Sequence, residues 1–271
     1  MLTRLKVSGF KNLVDVDVRF GAFTCIAGAN GVGKSNLFDA IRFLSATAQM
    51  PLQEAALSLR DGNGKQSDIR NLFHRVGDRY VDKISFEAEM IIPSEGINDL
   101  GDEIETTENF LIYSLEISYQ EAISRLTDRI IVSKEELAVI DSSYINKYNF
   151  LDKYPILNRK ERKFKTIYRK FKGSNSIDIN IHTGKGEELI SYRTRFYETF
   201  LSIFKSGFKD VNKPLSFIMY LLQREVSSWK LLQLEPSPLR KPNEFTASDK
   251  LGADGSNLAA SFYHLVEKIY Q

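Results

Sequence analysis

One run of eight residues has the residue types and spacing needed to bind a phosphorylated ligand: Gly28-Ala29-Asn30-Gly31-Val32-Gly33-Lys34-Ser35. It matches the pattern G-x-x-x-x-G-K-[ST]. Glycines let the backbone curl so that successive N–H groups point inward at phosphate oxygens. Lys34 would stabilise the γ-phosphate as the catalytic residue, and the Ser35 hydroxyl would complete the shell of a Mg²⁺ ion. This run, the phosphate loop, therefore predicts binding of a nucleoside triphosphate, which we interpret as Mg·ATP.

The sequence around the phosphate loop predicts the elements that would position it. Residues 23–27 are almost continuously apolar, which is typical of a strand buried on both faces. After the loop a helix is expected to begin near Lys34, with its positive dipole end at the ligand. The apolar residues that follow the helical period are Leu37, Ala40, Ile41, Phe43 and Leu44. A glycine-rich turn with an incidental Gly-Lys-Ser explains this strand, loop and helix order less well.

The remaining periodicities predict a sheet with helices. Apolar and polar residues alternate at Leu5 and Val7, and again over residues 14–20, so two short strands are expected before the loop. Further strands are predicted over residues 84–90, 111–119 and 129–140. Because they follow one another without intervening helices, they indicate an antiparallel meander. The acidic segment 93–109 is expected to be a long solvated loop.

The second half of the chain contains a basic segment followed by predicted helices. Eight of the fourteen residues from Arg159 to Lys172 are Lys or Arg, interleaved with Phe164, Tyr168 and Phe171. Such a segment could line a DNA path, since its cations neutralise phosphates and its aromatic rings stack on bases. It could equally be a solvated strand whose aromatic rings face the core. Strands are predicted over residues 177–181 and 229–234, and helices over residues 196–204, 214–225 and 258–269.

Composition limits the class of protein. The 42% hydrophobic and 27% charged residues are typical of a globular domain, and the net charge of +2 excludes a general polycation. Cys25 is the single cysteine, which excludes an intrachain disulfide framework and fits a reducing cytosol, and we expect it to pack in the strand before the loop. No secretory leader is visible, and no apolar run reaches the roughly 18 residues of a membrane span. We therefore expect a cytoplasmic protein without membrane contact.

The residues flanking the phosphate loop resemble the start of RecF- and SMC-type ATPases, which are ABC-like proteins often labelled AAA family ATPases. The resemblance is carried by residues 5–13, by Phe20 and Gly21, and by residues 28–37. A looser similarity lies at residues 251–259, which resemble a turn before the helical arm in the same group. The resemblance is closest over residues 1–50.

The resemblance implies the α/β class with α+β character: a P-loop NTPase with an ABC-ATPase-like head lobe, an antiparallel β meander and a helical C-terminal portion. Residues 1–150 would form the ATPase lobe with an antiparallel β subdomain. Residues 151–271 would continue the head with the basic strand region and helices. The residues implied to bind nucleotide are Lys11, Asn12, Gly28, Ala29, Asn30, Gly31, Val32, Gly33, Lys34, Ser35 and Asn36, with Ser35 as the metal ligand.

The family also implies partners. A second protomer closes over the nucleotide, so that ATP holds two heads together and its hydrolysis releases them. The roles that follow are DNA repair, chromosome maintenance or anti-phage defence. DNA would be contacted through the segment from Arg159 to Lys172, and a nuclease or other effector subunit is a further expected partner.

The sequence departs from the family in its catalytic elements. It contains no LSGG-like signature and no apolar strand followed by Asp-Glu; the nearest match, residues 137–141, ends in Asp141 and is followed by Ser142. The last predicted helix is still apolar at its end, so we expect the natural chain to continue into a lobe that holds the signature and the acidic strand. This chain alone is therefore expected to bind ATP better than it hydrolyses it. The glutamine that reaches the metal in the family would be Gln49 or Gln66.

Three other functions can be compared with the sequence. A GTPase would need Asn-Lys-x-Asp, and the nearest match, residues 146–149, ends in Asn149. A phosphotransferase of the small-kinase type usually continues with βα repeats, whereas residues 84–140 predict antiparallel strands. A lobe that senses nucleotide or scaffolds a partner without turnover is also compatible with the sequence.

Overall fold

The computed structural model describes residues 1–59, 68–98, 101–106, 108–121, 129–140, 164–171, 176–183, 186–193, 195, 197–203, 213–244, 247–248 and 250–270. The chain divides into two compact units, Met1–Ser228 and Trp229–Gln271, and each is described by itself. The boundary predicted at residue 150 lies outside the described residues and stays a prediction.

An eight-stranded antiparallel sheet forms the centre of the first unit. Its spatial order is β12-β11-β10-β9-β8-β5-β1-β2. These strands are β1 Leu2–Ser8, β2 Val16–Arg19, β5 Lys83–Ile91, β8 Phe110–Gln120, β9 Arg129–Ile140, β10 Phe164–Phe171, β11 Ser176–Thr183 and β12 Gly186–Arg193. Two small hairpins join β3 Arg75–Val76 to β4 Arg79–Tyr80 and β6 Glu95–Ile97 to β7 Glu103–Glu105. The predicted mixed fold with an antiparallel meander is confirmed.

Both units contain helices. The first unit contains α1 Lys34–Thr47, α2 Leu52–Ser58, a 3₁₀ helix Ile69–Leu72, α3 Phe200–Ile203 and α4 Lys213–Ser228. The second unit contains α5 Pro236–Leu239 and α6 Leu258–Tyr270. Of the helices that the structure describes, none has the length and apolar character needed to cross a membrane.

An aromatic cluster fixes α1 against the sheet. The ring of Phe43 on α1 lies 6.0 Å from the ring of Phe10 and 5.6 Å from that of Phe86 on β5. All three side chains are buried, and burying each one contributes about 1.5–3 kcal/mol. The helix that follows the phosphate loop is therefore anchored by apolar contacts that involve no ligand.

Three expectations differ from the structure. Residues 23–27 form no strand: Phe23 is 89% exposed, and Cys25 is exposed as well, so its predicted packing role is wrong. Gly21 donates to the Thr24 hydroxyl after β2, and no strand within the described ranges pairs with the segment. The acidic segment 93–109, predicted as a solvated loop, contains the β6–β7 hairpin, and the side chain of Ile104 in β7 is buried.

In the second unit, the strand predicted over residues 229–234 is absent. There the Gln233 N–H donates to the Ala253 carbonyl.

Gly9 at the end of β1 provides a test of this framework. Its φ is +77°, and an added Cβ would lie 2.5 Å from the Lys83 carbonyl oxygen. We expect Gly9→Ala to lower the free energy of unfolding by about 2–4 kcal/mol, because backbone strain and a steric clash act together. Gly77 is the matched control: its φ is +61°, and nothing lies within 4 Å of an added Cβ. Gly77→Ala should lower the free energy of unfolding by about 1 kcal/mol, and urea titrations measure both values. Equal losses in the two variants would contradict a steric clash at Gly9.

Candidate phosphate-binding site

The phosphate loop turns directly into the N-terminus of α1. Gly31 has a φ of +86° and Gly33 a φ of +102°, conformations that favour glycine. The first α-helical bond joins the Leu37 N–H to the Gly33 carbonyl at 3.0 Å, and no side chain caps the helix. The N–H groups of the first turn therefore have no helical acceptor and can bind an anion.

The side chains at the start of α1 complete a donor set for phosphate. The Lys34 ammonium donates to the carbonyl of Gly28 at 2.6 Å and to that of Ala29 at 2.7 Å, so it lies across the loop. Ser35 is exposed on the first helical turn. Backbone amides, one ammonium and one hydroxyl fit a triphosphate with a hard, oxygen-preferring cation. No group of three or more His, Cys, Asp or Glu side chains in the described part of the chain could hold a metal by itself. Ser35 stays the predicted ligand of Mg²⁺.

A turn formed by residues 10–13 lies beside the loop. Phe10 and Leu13 exchange two backbone hydrogen bonds, of 3.2 and 2.7 Å, and both side chains are buried. Lys11 has a φ of +49°; its N–H donates to the Leu72 carbonyl at 2.8 Å, and its carbonyl lies 2.6 Å from Nδ1 of His74. The turn is thus tied to the end of the 3₁₀ helix and to His74 just after it, which the sequence did not indicate.

The two polar side chains of this turn reach α1 and the loop. The Lys11 ammonium pairs with Asp39 of α1 at 2.7 Å. Asn12 accepts a hydrogen bond from the Asn36 amide at 2.7 Å, and its own amide lies 3.4 Å from the Gly31 carbonyl. Asp39 was not among the predicted site residues, although it lies four residues after Ser35 and so on the same helical face.

The structure brings the predicted nucleotide-binding residues together, from the turn 10–13, the loop and the first turn of α1. Their roles toward a nucleotide stay predictions. Gln49 is not at the loop: it lies fourteen residues after Ser35, about 21 Å along the helix direction, and donates to the Ser45 carbonyl. Gln66 and Asp141 lie outside the described residues.

The described part of the basic segment agrees with the core-facing alternative. Tyr168 is fully buried, and Arg169 pairs with Glu136. Lys170 is 1% exposed and donates to the carbonyls of Arg195 and Glu198, and this burial lowers its pKa. Tyr168 and Lys170 therefore cannot contact DNA in this conformation. Residues 159–163 and 172 lie outside the described residues, so their part in the DNA prediction stays untested.

Comparison with known proteins identifies relatives of this chain. The family described as "AAA domain, putative AbiEii toxin, Type IV TA system" matches residues 23–244. The DNA replication and repair protein RecF of Bacteroides thetaiotaomicron is 33% identical over 96 residues, which cover 35% of this chain and 22% of that protein. RecF of Bacteroides fragilis is 46% identical over 46 residues, 17% of this chain and 12% of that protein. The chain thus matches only a small part of the length of either RecF protein.

A solved structure from work described as "Structural biochemistry of ATP-driven dimerization and DNA stimulated activation of SMC ATPases" aligns with 48% of this chain and 68% of its own. The TM-score is 0.31 and the identity 20%, values too low to assign a fold or a function to this chain. The family match, by contrast, includes the phosphate loop and covers more than half of the sequence. The chain therefore belongs to this family of AAA-type ATPases and is related to RecF.

Proposed function

We propose that this chain binds Mg·ATP in the phosphate loop and acts as part of a RecF/SMC-like ATPase head. The observation that carries the proposal is the loop itself: two glycines with positive φ lead into α1, and the Lys34 ammonium donates to the carbonyls at the start of the loop. The family match, which spans this loop, supports the same ligand.

Each part of the loop has a separate task in this proposal. The amides of residues 28–36 and the dipole of α1 bind phosphate oxygens. Lys34 exchanges its two carbonyl partners for oxygens of the β- and γ-phosphates, and its charge stabilises the γ-phosphate during transfer. Ser35 orients the magnesium ion, which would neutralise charge on the same oxygens. The exposed position of the loop leaves room for a second protomer to cover the nucleotide.

We further propose that two protomers associate around ATP in a process that involves DNA or phage defence. The sequence resemblance to RecF- and SMC-type ATPases supports the association. The name of the Bacteroides relatives, "DNA replication and repair protein", supports a DNA-linked role, and the toxin–antitoxin description of the family supports defence. Deleting the gene and measuring survival of DNA damage and phage plating distinguishes the two roles. A defence role requires that phage plating change, and a nuclease that copurifies would support it.

Nucleotide preference gives the direct test. We expect the chain to bind Mg·ATP and to prefer it to GTP, with weaker binding when EDTA removes magnesium. Titration calorimetry with ATP, GTP and ATP plus EDTA measures these affinities, and sedimentation with a non-hydrolysable ATP analogue measures association. GTP preference, or a phosphorylated product other than inorganic phosphate, would show a GTPase or a phosphotransferase instead.

Turnover separates catalysis from sensing. We expect slow ATP hydrolysis by this chain, because its sequence lacks an apolar strand that ends in Asp-Glu. Steady hydrolysis by these 271 residues would place a catalytic carboxylate within them, with Asp141 as the first residue to replace.

A further inference from the structure

The phosphate loop is braced by a pair of asparagines from two different elements. Asn36 lies in the first turn of α1 and donates its amide to Oδ1 of Asn12 at 2.7 Å. Asn12 in turn directs its own amide at the Gly31 carbonyl, at 3.4 Å. The two side chains therefore connect the 10–13 turn, the middle of the loop and the start of the helix.

Gly33 shows how closely this brace approaches the loop backbone. A Cβ added at Gly33 would lie 2.7 Å from Oδ1 and 3.0 Å from Nδ2 of Asn12. By contrast, nothing lies within 4 Å of an added Cβ at Gly31. The Asn12 amide thus packs directly on Gly33, the N-cap residue that precedes α1 and has a positive φ.

The 10–13 turn is rigid enough to act as a support. Its four residues close on themselves through two backbone hydrogen bonds. From outside the turn, the Leu72 carbonyl and the His74 ring hold the Lys11 backbone. Phe10 and Leu13 anchor it in the core. The Lys11–Asp39 ion pair forms a second connection from the same turn to α1, one helical turn further along. The phosphate loop therefore contacts a rigid turn through Asn12.

We propose that Asn12 and Asn36 are positioning residues: their hydrogen bond fixes the phosphate loop in its binding conformation before any nucleotide arrives. The proposal rests on the proposed function for the identity of the ligand, and it changes the expected role of both residues from nucleotide contact to support of the loop. Both polar atoms of the Asn12 amide already face protein atoms, and the bond to Asn36 needs no ligand. A pre-formed loop binds more tightly because less conformational entropy is lost on binding.

Asn12→Ala and Asn36→Ala test the proposal by two measurements. In nucleotide-free protein we expect faster amide hydrogen exchange across residues 28–36 in both variants, because the loop opens more often without the brace. We also expect each variant to bind Mg·ATP and Mg·ADP about tenfold more weakly, by a similar factor for the two nucleotides, since one hydrogen bond is lost from the support of the whole loop. The double variant should lose no more than Asn12→Ala alone, because Asn36 supports the loop through its bond to Asn12.

Asn71→Ala is the matched control, since Asn71 is an exposed asparagine in the same unit whose oxygen accepts only a long hydrogen bond from Tyr80. It should change neither exchange nor affinity, and thermal unfolding verifies that every variant is folded. Weaker ATP binding with unchanged exchange in the free protein would assign the asparagines to direct nucleotide contact and overturn the proposal. Additive losses in the double variant would do the same. If the wild type binds no ATP, the proposed function fails, whereas the exchange measurement still decides whether the brace exists.

Discussion

Replacing Lys34 with alanine lowers the affinity for Mg·ATP by about a hundredfold or more, because two charge-assisted hydrogen bonds of about 1.5–3 kcal/mol each are lost. The Lys34 ammonium donates to the carbonyls of Gly28 and Ala29, so the loop places it where the phosphate tail is expected. Its loss leaves the amides and the helix dipole as the remaining favourable contacts. Titration calorimetry with Mg·ATP measures the effect.

Lys83→Ala is the control for this experiment. Lys83 is an exposed lysine whose ammonium pairs with Glu116 at 2.9 Å, and such surface pairs contribute about 0–1 kcal/mol. It should bind Mg·ATP as the wild type does. Thermal unfolding should show both variants folded, since Lys34 makes its hydrogen bonds at the surface. Affinity of Lys34→Ala within twofold of the wild type would refute the nucleotide site.

Local features of the sequence predicted the phosphate loop and α1 well. Glycine spacing and a helical period are properties of neighbouring residues, and the structure contains the loop at Gly31 and Gly33 followed by a helix from Lys34. Alternation predicted β5 and β8 for the same reason, since alternate residues of these strands pack in the core. The brace formed by Asn12 and Asn36 was not predictable, because the two residues are twenty-four positions apart.

The features that the sequence did not predict share one cause, which is that burial depends on partners distant in sequence. Residues 23–27 have a strand-like composition, yet a ladder needs a neighbouring strand, and none in the described ranges provides one. Lys170 belongs to a basic run, yet its side chain is buried, because its ammonium donates hydrogen bonds to the carbonyls of Arg195 and Glu198. Ile104 lies in an acidic segment, yet its side chain is buried and its strand forms a hairpin. Composition alone reports none of these contacts.

The second large effect is expected at Glu135, a fully buried carboxylate in β9. It accepts hydrogen bonds from the hydroxyls of Tyr113 at 2.9 Å and Tyr168 at 3.1 Å, and the Phe200 N–H lies 2.9 Å from both of its oxygens. Glu135 therefore joins strands β8 and β10 to the start of α3. Next to α3, the Thr199 hydroxyl donates to the Thr47 carbonyl at the end of α1, so the network reaches the helix that carries the phosphate loop.

We expect Glu135→Ala to lower the free energy of unfolding by about 3–5 kcal/mol, because it leaves three buried donors without their acceptor and removes a partner charge of Lys170. Glu136→Ala is the matched control one residue away. Glu136 pairs with Arg169 and Lys134, whose side chains remain accessible to water, and its loss should cost about 1 kcal/mol or less. Urea titrations measure both values; similar losses would contradict the special role of Glu135.

The pH dependence of stability provides an independent test of the same carboxylate. Burial raises the pKa of Glu135 above its ordinary value of 4.5, although the Phe200 N–H and Lys170 partly oppose the shift. The folded protein then holds this proton to a higher pH than the unfolded chain does. The stability that Glu135 contributes is therefore complete below pH 4.5 and is lost as the pH rises through the raised pKa. Glu135→Gln cannot titrate, so the stability of the wild type relative to this variant should fall as the pH increases from 4.5. A relative stability that instead rises with pH would mean that Lys170 and the hydrogen-bond donors hold the carboxylate ionised, and that its pKa is lowered in the folded protein.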